Sequence, residues 1–286
     1  MTVGEREYYS VRSGTHPSGG RLDLRGLRRL FRALYERFYD EGYFQEVIGF
    51  DCVDQGFVPG TAGDDTEAFV FMHLKKPDMW PIDENSHAYS EADIFDLMEL
   101  LHDVVSKGVD GYHHDWDNCG WHYESFDQPA GRAAFRRAVN EILADYGTGY
   151  EMSLKGEILE TAPTGLGALE RAPAPPGDAA NVQARVDAAI EKFRRRGASL
   201  DERREAVRNL SDVLEFIRPQ AKEALKTKDE ADLFELANRF GLRHHNKSQQ
   251  TDYDAAIWLS WMFYYYLATI HAATRLIDRS ARGRSA

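Results

Sequence analysis

The sequence predicts a mainly α-helical protein with two domains: a mostly helical N-terminal domain containing a small β-hairpin, and a C-terminal four-helix bundle. Apolar residues recur at three- and four-residue spacing along most of the longer segments, as on amphipathic helices. The 286 residues exceed what one hydrophobic core usually fills, roughly 100 to 200 residues. A proline- and glycine-rich stretch, APTGLGALERAPAPPGD, interrupts these patterns. We therefore predict a flexible tail at 1–20, an N-terminal domain at 21–161, an exposed linker at 162–178 and a helical domain at 179–286.

The N-terminal domain begins with an amphipathic pattern over residues 22–48, which predicts a helix pair kinked near Gly42. The apolar run at 68–74 fits either a short strand or a buried helical turn. Ser90 and Asp93 have the spacing of a helix-capping box, and the helix after them is expected to reach about residue 108.

The rest of this domain is predicted as an aromatic loop at 112–126, a helix at 131–146 and a hairpin in GYEMSLKGEILETAP. The four helices of the C-terminal domain are expected at 179–196, 200–225, 230–243 and 252–277.

The amino-acid composition indicates the cellular compartment and the kind of binding partner to expect. Only two cysteines are present, and no signal-peptide pattern opens the chain, so a cytoplasmic protein is expected. The net charge is −12, but residues 179–286 carry 19 basic against 15 acidic residues, about +4, which leaves about −16 for the first 178. A polyanion would therefore bind the C-terminal half, unless the two surfaces merely differ in composition.

The last predicted helix contains nineteen residues without a full charge, at 255–273, so a membrane anchor is one interpretation. Its three central tyrosines argue against it, because Tyr and Trp favour membrane interfaces. We expect no membrane association, and instead a homodimer interface through this helix, at Trp258, Trp261 and Tyr265.

A basic segment, NRFGLRHHNKSQ, precedes the last helix. Arg239 and Arg243 lie one helical turn apart and share a face, and His244 and His245 follow. Guanidinium groups could hold a phosphate while an imidazole that titrates near neutral pH moves a proton. The candidate substrate-binding residues are Arg243, Asn246, Lys247 and Gln249.

This segment and the helix pattern resemble the HEPN domain, a helical-bundle family in which many members are metal-independent ribonucleases. The family's motif is an Arg, commonly followed by a polar residue, and then a His after four to six intervening positions. Arg239 with His244 or His245 satisfies the spacing, but Phe240 is apolar; Arg243 has a polar follower but no correctly spaced histidine. The resemblance implies that Arg239, His244 and His245 are catalytic, and that no cofactor or metal is needed.

The segments CGWHYESFD and GRAAFRRAVNEILADYGTGYEMSLKGEI are similar to bacterial abortive-infection proteins of the AbiJ-like type. That resemblance implies an anti-phage RNase toxin that cleaves RNA by 2′-hydroxyl attack. Its N-terminal domain would sense a trigger or restrain the RNase, and a neutralising or sensing protein could be a partner. The alternative is a non-catalytic HEPN-like module that binds RNA, a nucleotide or a protein.

Simpler interpretations of the basic segment stay open. Arg239 could form a surface ion pair with Glu235, worth about 0.3 to 0.5 kcal/mol. His244 and His245 could face water at a helix corner capped by Asn246.

A second cluster lies in YHHDWDNCGWHYESFD. It contains histidines, aspartates and one cysteine, but the spacing fits no zinc motif, so we predict no metal. The segment is expected to be an aromatic loop whose Trp116, Trp121 and Tyr123 pack on the core.

Overall fold

The computed structural model describes residues 9–15, 21–147, 149–162, 166–170, 179–224 and 254–284. In these residues the protein is mainly helical, as predicted, with three small antiparallel strand pairs where the sequence predicts a single hairpin. It divides into two compact units, Met1–Ile158 and Leu159–Ala286.

Unit 1 contains six helices and two complete hairpins among its described residues. The helices are α1 (Tyr9–Arg12), α2 (Leu24–Asp40), α3 (Thr66–Leu74), α4 (Ile82–Asn85), α5 (Glu91–Val104) and α6 (Gln128–Leu143). The strands are β1 (Gly49–Cys52) paired with β2 (Gly56–Pro59), and β3 (Lys107–His114) paired with β4 (Gly120–Asp127). A third hairpin of β5 (Tyr150–Met152) and β6 (Ile158–Glu160) reaches the division between the units, where the sequence predicts it.

The predicted helix pair at 22–48 is wrong in its second half. Helix α2 ends after Asp40, where Gly42 adopts a φ of 77°. The Tyr43 N–H donates to the Phe38 carbonyl and the Gly42 N–H to the Tyr39 carbonyl, which is the Schellman arrangement of a helix end. Turns follow instead of a second helix.

Helix α5 confirms the predicted capping box. The Asp93 N–H donates to the Ser90 hydroxyl over 3.2 Å, and the Ser90 N–H donates to the Asp93 carboxylate over 2.9 Å. The helix ends at Val104, earlier than expected, because Val105 is extended and the Ser106 N–H donates to the Tyr43 carbonyl.

The core of unit 1 lies between α2, α5 and α6. Phe31, Phe44 and Phe135 are fully buried, and Phe38 meets Phe135 edge to face with centroids 5.2 Å apart. Burying one such ring stabilises the fold by about 1.5 to 3 kcal/mol. The run at 68–74 is helical, which decides between the two structures that its sequence allows.

Unit 2 contains a short helix, α7 (Gly167–Glu170), a π-helical turn (Ala179–Gln183) and three longer helices. These are α8 (Ala184–Arg194), α9 (Leu200–Ala224) and α10 (Ala255–Arg284). Their core is apolar and includes Phe193 and Phe263, whose rings stack with centroids 4.0 Å apart. Three of the four predicted long helices are present; the one predicted at 230–243 lies outside the described residues. Helix α7 lies in the segment predicted to be an exposed linker.

Candidate functional site

The predicted Arg/His site lies outside the described residues. This applies to its proposed catalytic and substrate-binding residues alike: Arg239, His244, His245, Arg243, Asn246, Lys247 and Gln249. Asp254 is the first described residue after this segment. Its carboxylate accepts from the N–H groups of Ala256 and Ile257 and so caps helix α10.

The first turns of α10 expose an aromatic face. The side chains proposed for the dimer interface lie at i, i+3 and i+7, so they share one side of the helix. Trp258 is 36% exposed and Trp261 is 43% exposed, and Tyr265 stacks on Trp261 with centroids 5.4 Å apart. Phe263 and Tyr266 of the same helix are buried. Burial in unit 2 therefore explains part of the uncharged run at 255–273, but it does not explain the exposed Trp258 and Trp261.

The uncharged run at 255–273 raises the interpretation of a membrane anchor. Within the described parts of the chain, no helix is long and apolar enough to cross a bilayer.

The second cluster of the sequence analysis lies in unit 1, on the hairpin of β3 and β4, and the structure adds Cys52 to it. The predicted aromatic loop is wrong, because these residues form two paired strands. Tyr112 pairs with His122 and His114 pairs with Gly120. Since residues two apart on a strand point to the same face, Tyr112, His114 and His122 share one face of the hairpin.

The tip of this hairpin brings Cys119 back to the same face. Asp117 takes a left-handed conformation, with φ 49° and ψ 34°, inside a 3₁₀ turn at Trp116–Asn118. The Cys119 sulfur then lies 3.2 Å from Nε2 of His122.

Cys52 joins His114, Cys119 and His122 from the other hairpin, which is formed by β1 and β2. Cys52, the last residue of β1, has its sulfur 3.9 Å from Nδ1 of His114. One ligand atom from each of Cys52, His114, Cys119 and His122 lies within 4.8 Å of every other. Cys52 and His122 are only 4% and 5% exposed, while Cys119 and His114 are partly buried. Both cysteines are free thiols.

Each histidine has a polar partner on the ring nitrogen that faces away from the nearest sulfur. Nδ1 of His122 lies 2.8 Å from the Tyr112 hydroxyl, and Nε2 of His114 lies 3.2 Å from a carboxylate oxygen of Asp54. Burial, followed by the charge of the nearby His114 ring, lowers the pKa of His122, which favours the uncharged form of the ring. Four groups of this kind could hold a transition-metal ion.

The prediction of no metal in this segment rested on its single cysteine. Only neighbours in sequence were counted there, whereas the structure brings in a second cysteine, Cys52, from a different hairpin. Pooling every cysteine and histidine of the domain would have raised the possibility, since both cysteines of the chain lie in unit 1.

The predicted aromatic anchors also need correction. Trp116 and Trp121 are largely exposed. Tyr123 does pack inward: its ring lies against Gly108, where a Cβ would come within 2.2 Å of it.

Comparisons with known proteins add no assignment: no protein-family model, no curated protein and no solved structure matches this chain.

Proposed function

We propose that the protein is a metal-independent endoribonuclease of the HEPN type, an RNase toxin that acts in anti-phage abortive infection. The observation that carries this proposal is the sequence spacing of Arg239 and His244, an arginine and a histidine that precede the long helix α10 in the chain. The helical core of unit 2 and the positive balance of residues 179–286 support it.

The chemistry needs a base, an acid and cationic donors. One histidine removes the proton from the ribose 2′-hydroxyl, and the 2′-oxygen forms a bond to phosphorus. The bond from phosphorus to the 5′-oxygen breaks, and that oxygen receives a proton from the group that acts as the acid. Arg239 stabilises the charge that builds on the phosphate oxygens. The products are a 2′,3′-cyclic phosphate and a 5′-hydroxyl, and no metal takes part.

The active form is a homodimer in which two copies of the Arg/His segment complete one pocket. The exposed face of Trp258, Trp261 and Tyr265 is the proposed contact between the copies. Aromatic side chains of this kind are enriched at protein interfaces.

The two free thiols suit a cytoplasmic location, where cysteines stay reduced. Unit 1 would restrain the enzyme or recognise a trigger, including a neutralising protein.

The test is incubation of the purified full chain with total RNA in EDTA. Cleavage should yield 2′,3′-cyclic phosphate ends and should be lost in Arg239→Ala and in His244→Ala. The exposed His87 provides a matched control, and His87→Ala should cleave normally. Cleavage retained in both motif variants would exclude the proposal.

One departure favours a second candidate, a non-catalytic module that binds RNA, a nucleotide or a protein through the same segment. The residue after Arg239 is Phe240, where the HEPN motif commonly has a polar residue. Binding of RNA without cleavage, weakened by Arg243→Ala or Lys247→Ala, would favour this candidate.

A further inference from the structure

We propose that Cys52, His114, Cys119 and His122 bind one structural zinc ion that joins the two hairpins of unit 1. None of these residues belongs to the Arg/His segment, so this site is independent of the proposed nuclease.

The ligand types and their separations suit zinc. A tetrahedral ion with Zn–S bonds of about 2.3 Å and Zn–N bonds of about 2.0 to 2.1 Å sets neighbouring sulfur and nitrogen atoms about 3.6 Å apart. Two of the four sulfur–nitrogen distances are 3.2 Å and 3.9 Å, on either side of that value. All other pairs lie within 4.8 Å, so small side-chain movements close the tetrahedron. A tetrahedral S₂N₂ set is typical of zinc among divalent metals.

The nitrogens are already oriented. His114 presents Nδ1 to the Cys52 sulfur and keeps Nε2 for Asp54, while His122 presents Nε2 to the Cys119 sulfur and keeps Nδ1 for Tyr112. Metal-bound histidines usually donate their other N–H to a carboxylate or another oxygen, which fixes the ring and its tautomer. Both histidines have such an oxygen in place.

The charge balance also favours zinc in a buried position. Binding breaks two S–H bonds and forms two Zn–S and two Zn–N bonds, and the two protons go to solvent. Two thiolates and two neutral imidazoles around Zn²⁺ have no net charge, which limits the cost of burying the ion.

Four protein ligands leave no open position for substrate, which is the pattern of a structural zinc rather than a catalytic one. Its role follows from the topology. An isolated two-stranded hairpin is marginal in water, and the sheets of β1–β2 and β3–β4 are separate two-stranded sheets. The ion would link the end of β1 to the end of β3 and to β4.

The experiment uses the full chain, purified without a histidine tag from zinc-supplemented cells. Elemental analysis should find about one zinc per chain. X-ray absorption at the zinc edge should show two sulfur and two nitrogen neighbours, and this readout needs no variant. Replacement by Co²⁺ should give the visible absorption of a tetrahedral ion and a thiolate charge-transfer band.

Cys52→Ser should weaken zinc binding by at least about tenfold, because it removes one ligand. His113→Gln is the matched control: His113 neighbours a ligand in sequence but contacts Trp121 on the opposite face, and this variant should retain the ion. Metal-free protein after supplementation, a Cys52–Cys119 disulfide, or zinc with only nitrogen and oxygen neighbours would each overturn the proposal. None of these outcomes depends on RNA cleavage, so this proposal and the nuclease proposal can fail separately.

Discussion

The Arg194 guanidinium lies 2.5 Å from the Glu170 carboxylate, and the two side chains are only 6% and 3% exposed. Arg194 also donates to the Glu160 carbonyl, and the Tyr264 hydroxyl donates to the other oxygen of Glu170 over 2.9 Å. The pair therefore joins α7, the end of α8 and α10 within unit 2. A carboxylate from a proline-rich segment thus forms part of the interior.

Breaking this pair should destabilise unit 2 strongly. Arg194→Met removes the guanidinium that contacts the buried Glu170 carboxylate, and breaking a buried pair costs about 3 to 5 kcal/mol. The free energy of unfolding in urea measures the effect. Adding Glu170→Leu also removes the buried carboxylate, so the double variant should lose less than the sum of the two single variants.

A more exposed pair in the same unit provides the control for this prediction. Arg204 and Asp201 are also 2.5 Å apart, but their side chains are 36% and 90% exposed. Arg204→Met should cost no more than about 1 kcal/mol. Equal losses in Arg194→Met and Arg204→Met would show that burial of the first pair has no energetic consequence.

Tyr112→Phe should weaken zinc binding without removing a ligand. The variant keeps the ring but deletes the hydroxyl that lies 2.8 Å from Nδ1 of His122. Losing such a partner of a metal-bound histidine typically lowers metal affinity about 10- to 100-fold. Competition with a chromogenic chelator measures the affinity. Tyr39→Phe, which deletes a hydroxyl bonded to Asp51, should leave it unchanged; equal affinities for all three proteins would contradict the role given to Tyr112.

The local signals of this sequence predict its helices better than its strands. Ser90 and Asp93 mark the start of α5 because a capping box is complete within four residues. The β3–β4 hairpin was missed because one of its faces holds Tyr112, His114 and His122, so the alternation of apolar residues that indicates a strand is absent. Cys52 could not be assigned to the cluster, since only the tertiary fold brings its hairpin to the other. The proline-rich composition around Glu170 likewise contains no sign of its partner, Arg194.

Gly156→Ala should destabilise unit 1 for two separable reasons. Gly156 has a φ of 94°, which L residues rarely adopt, and a Cβ there would lie 2.3 Å from Nδ1 of the buried His102 ring. Strain of this kind costs about 1 to 3 kcal/mol, before the clash is counted. Gly63 has a φ of 86° with no atom within 4 Å of an added Cβ. Gly63→Ala therefore measures the backbone cost alone, and urea unfolding should show a larger loss for Gly156→Ala. Equal losses would mean that the His102 ring moves aside without cost.

His102 should make unit 1 less stable in mild acid. Its ring is buried, and burial, followed by the positive charge of Arg132, lowers the pKa of His102 in the folded protein, with Asp103 opposing. The unfolded chain has the ordinary histidine pKa of about 6.5, so below that pH it binds a proton that the folded protein binds less readily. The contribution of His102 to stability is therefore complete above about pH 6.5 and decreases as the pH falls from there through the folded-state pKa.

His102→Gln should remove this part of the pH dependence, because glutamine does not titrate. The measurement is the free energy of unfolding in urea between about pH 5 and 8, the range over which histidine changes charge. His87→Gln, the same replacement at an exposed histidine, is the matched control. If His102→Gln leaves the slope unchanged, the buried ring is protonated in the folded protein at little cost. Nδ1 of the protonated ring would then be paired with the Asp103 carboxylate, whose oxygen lies 3.8 Å from it.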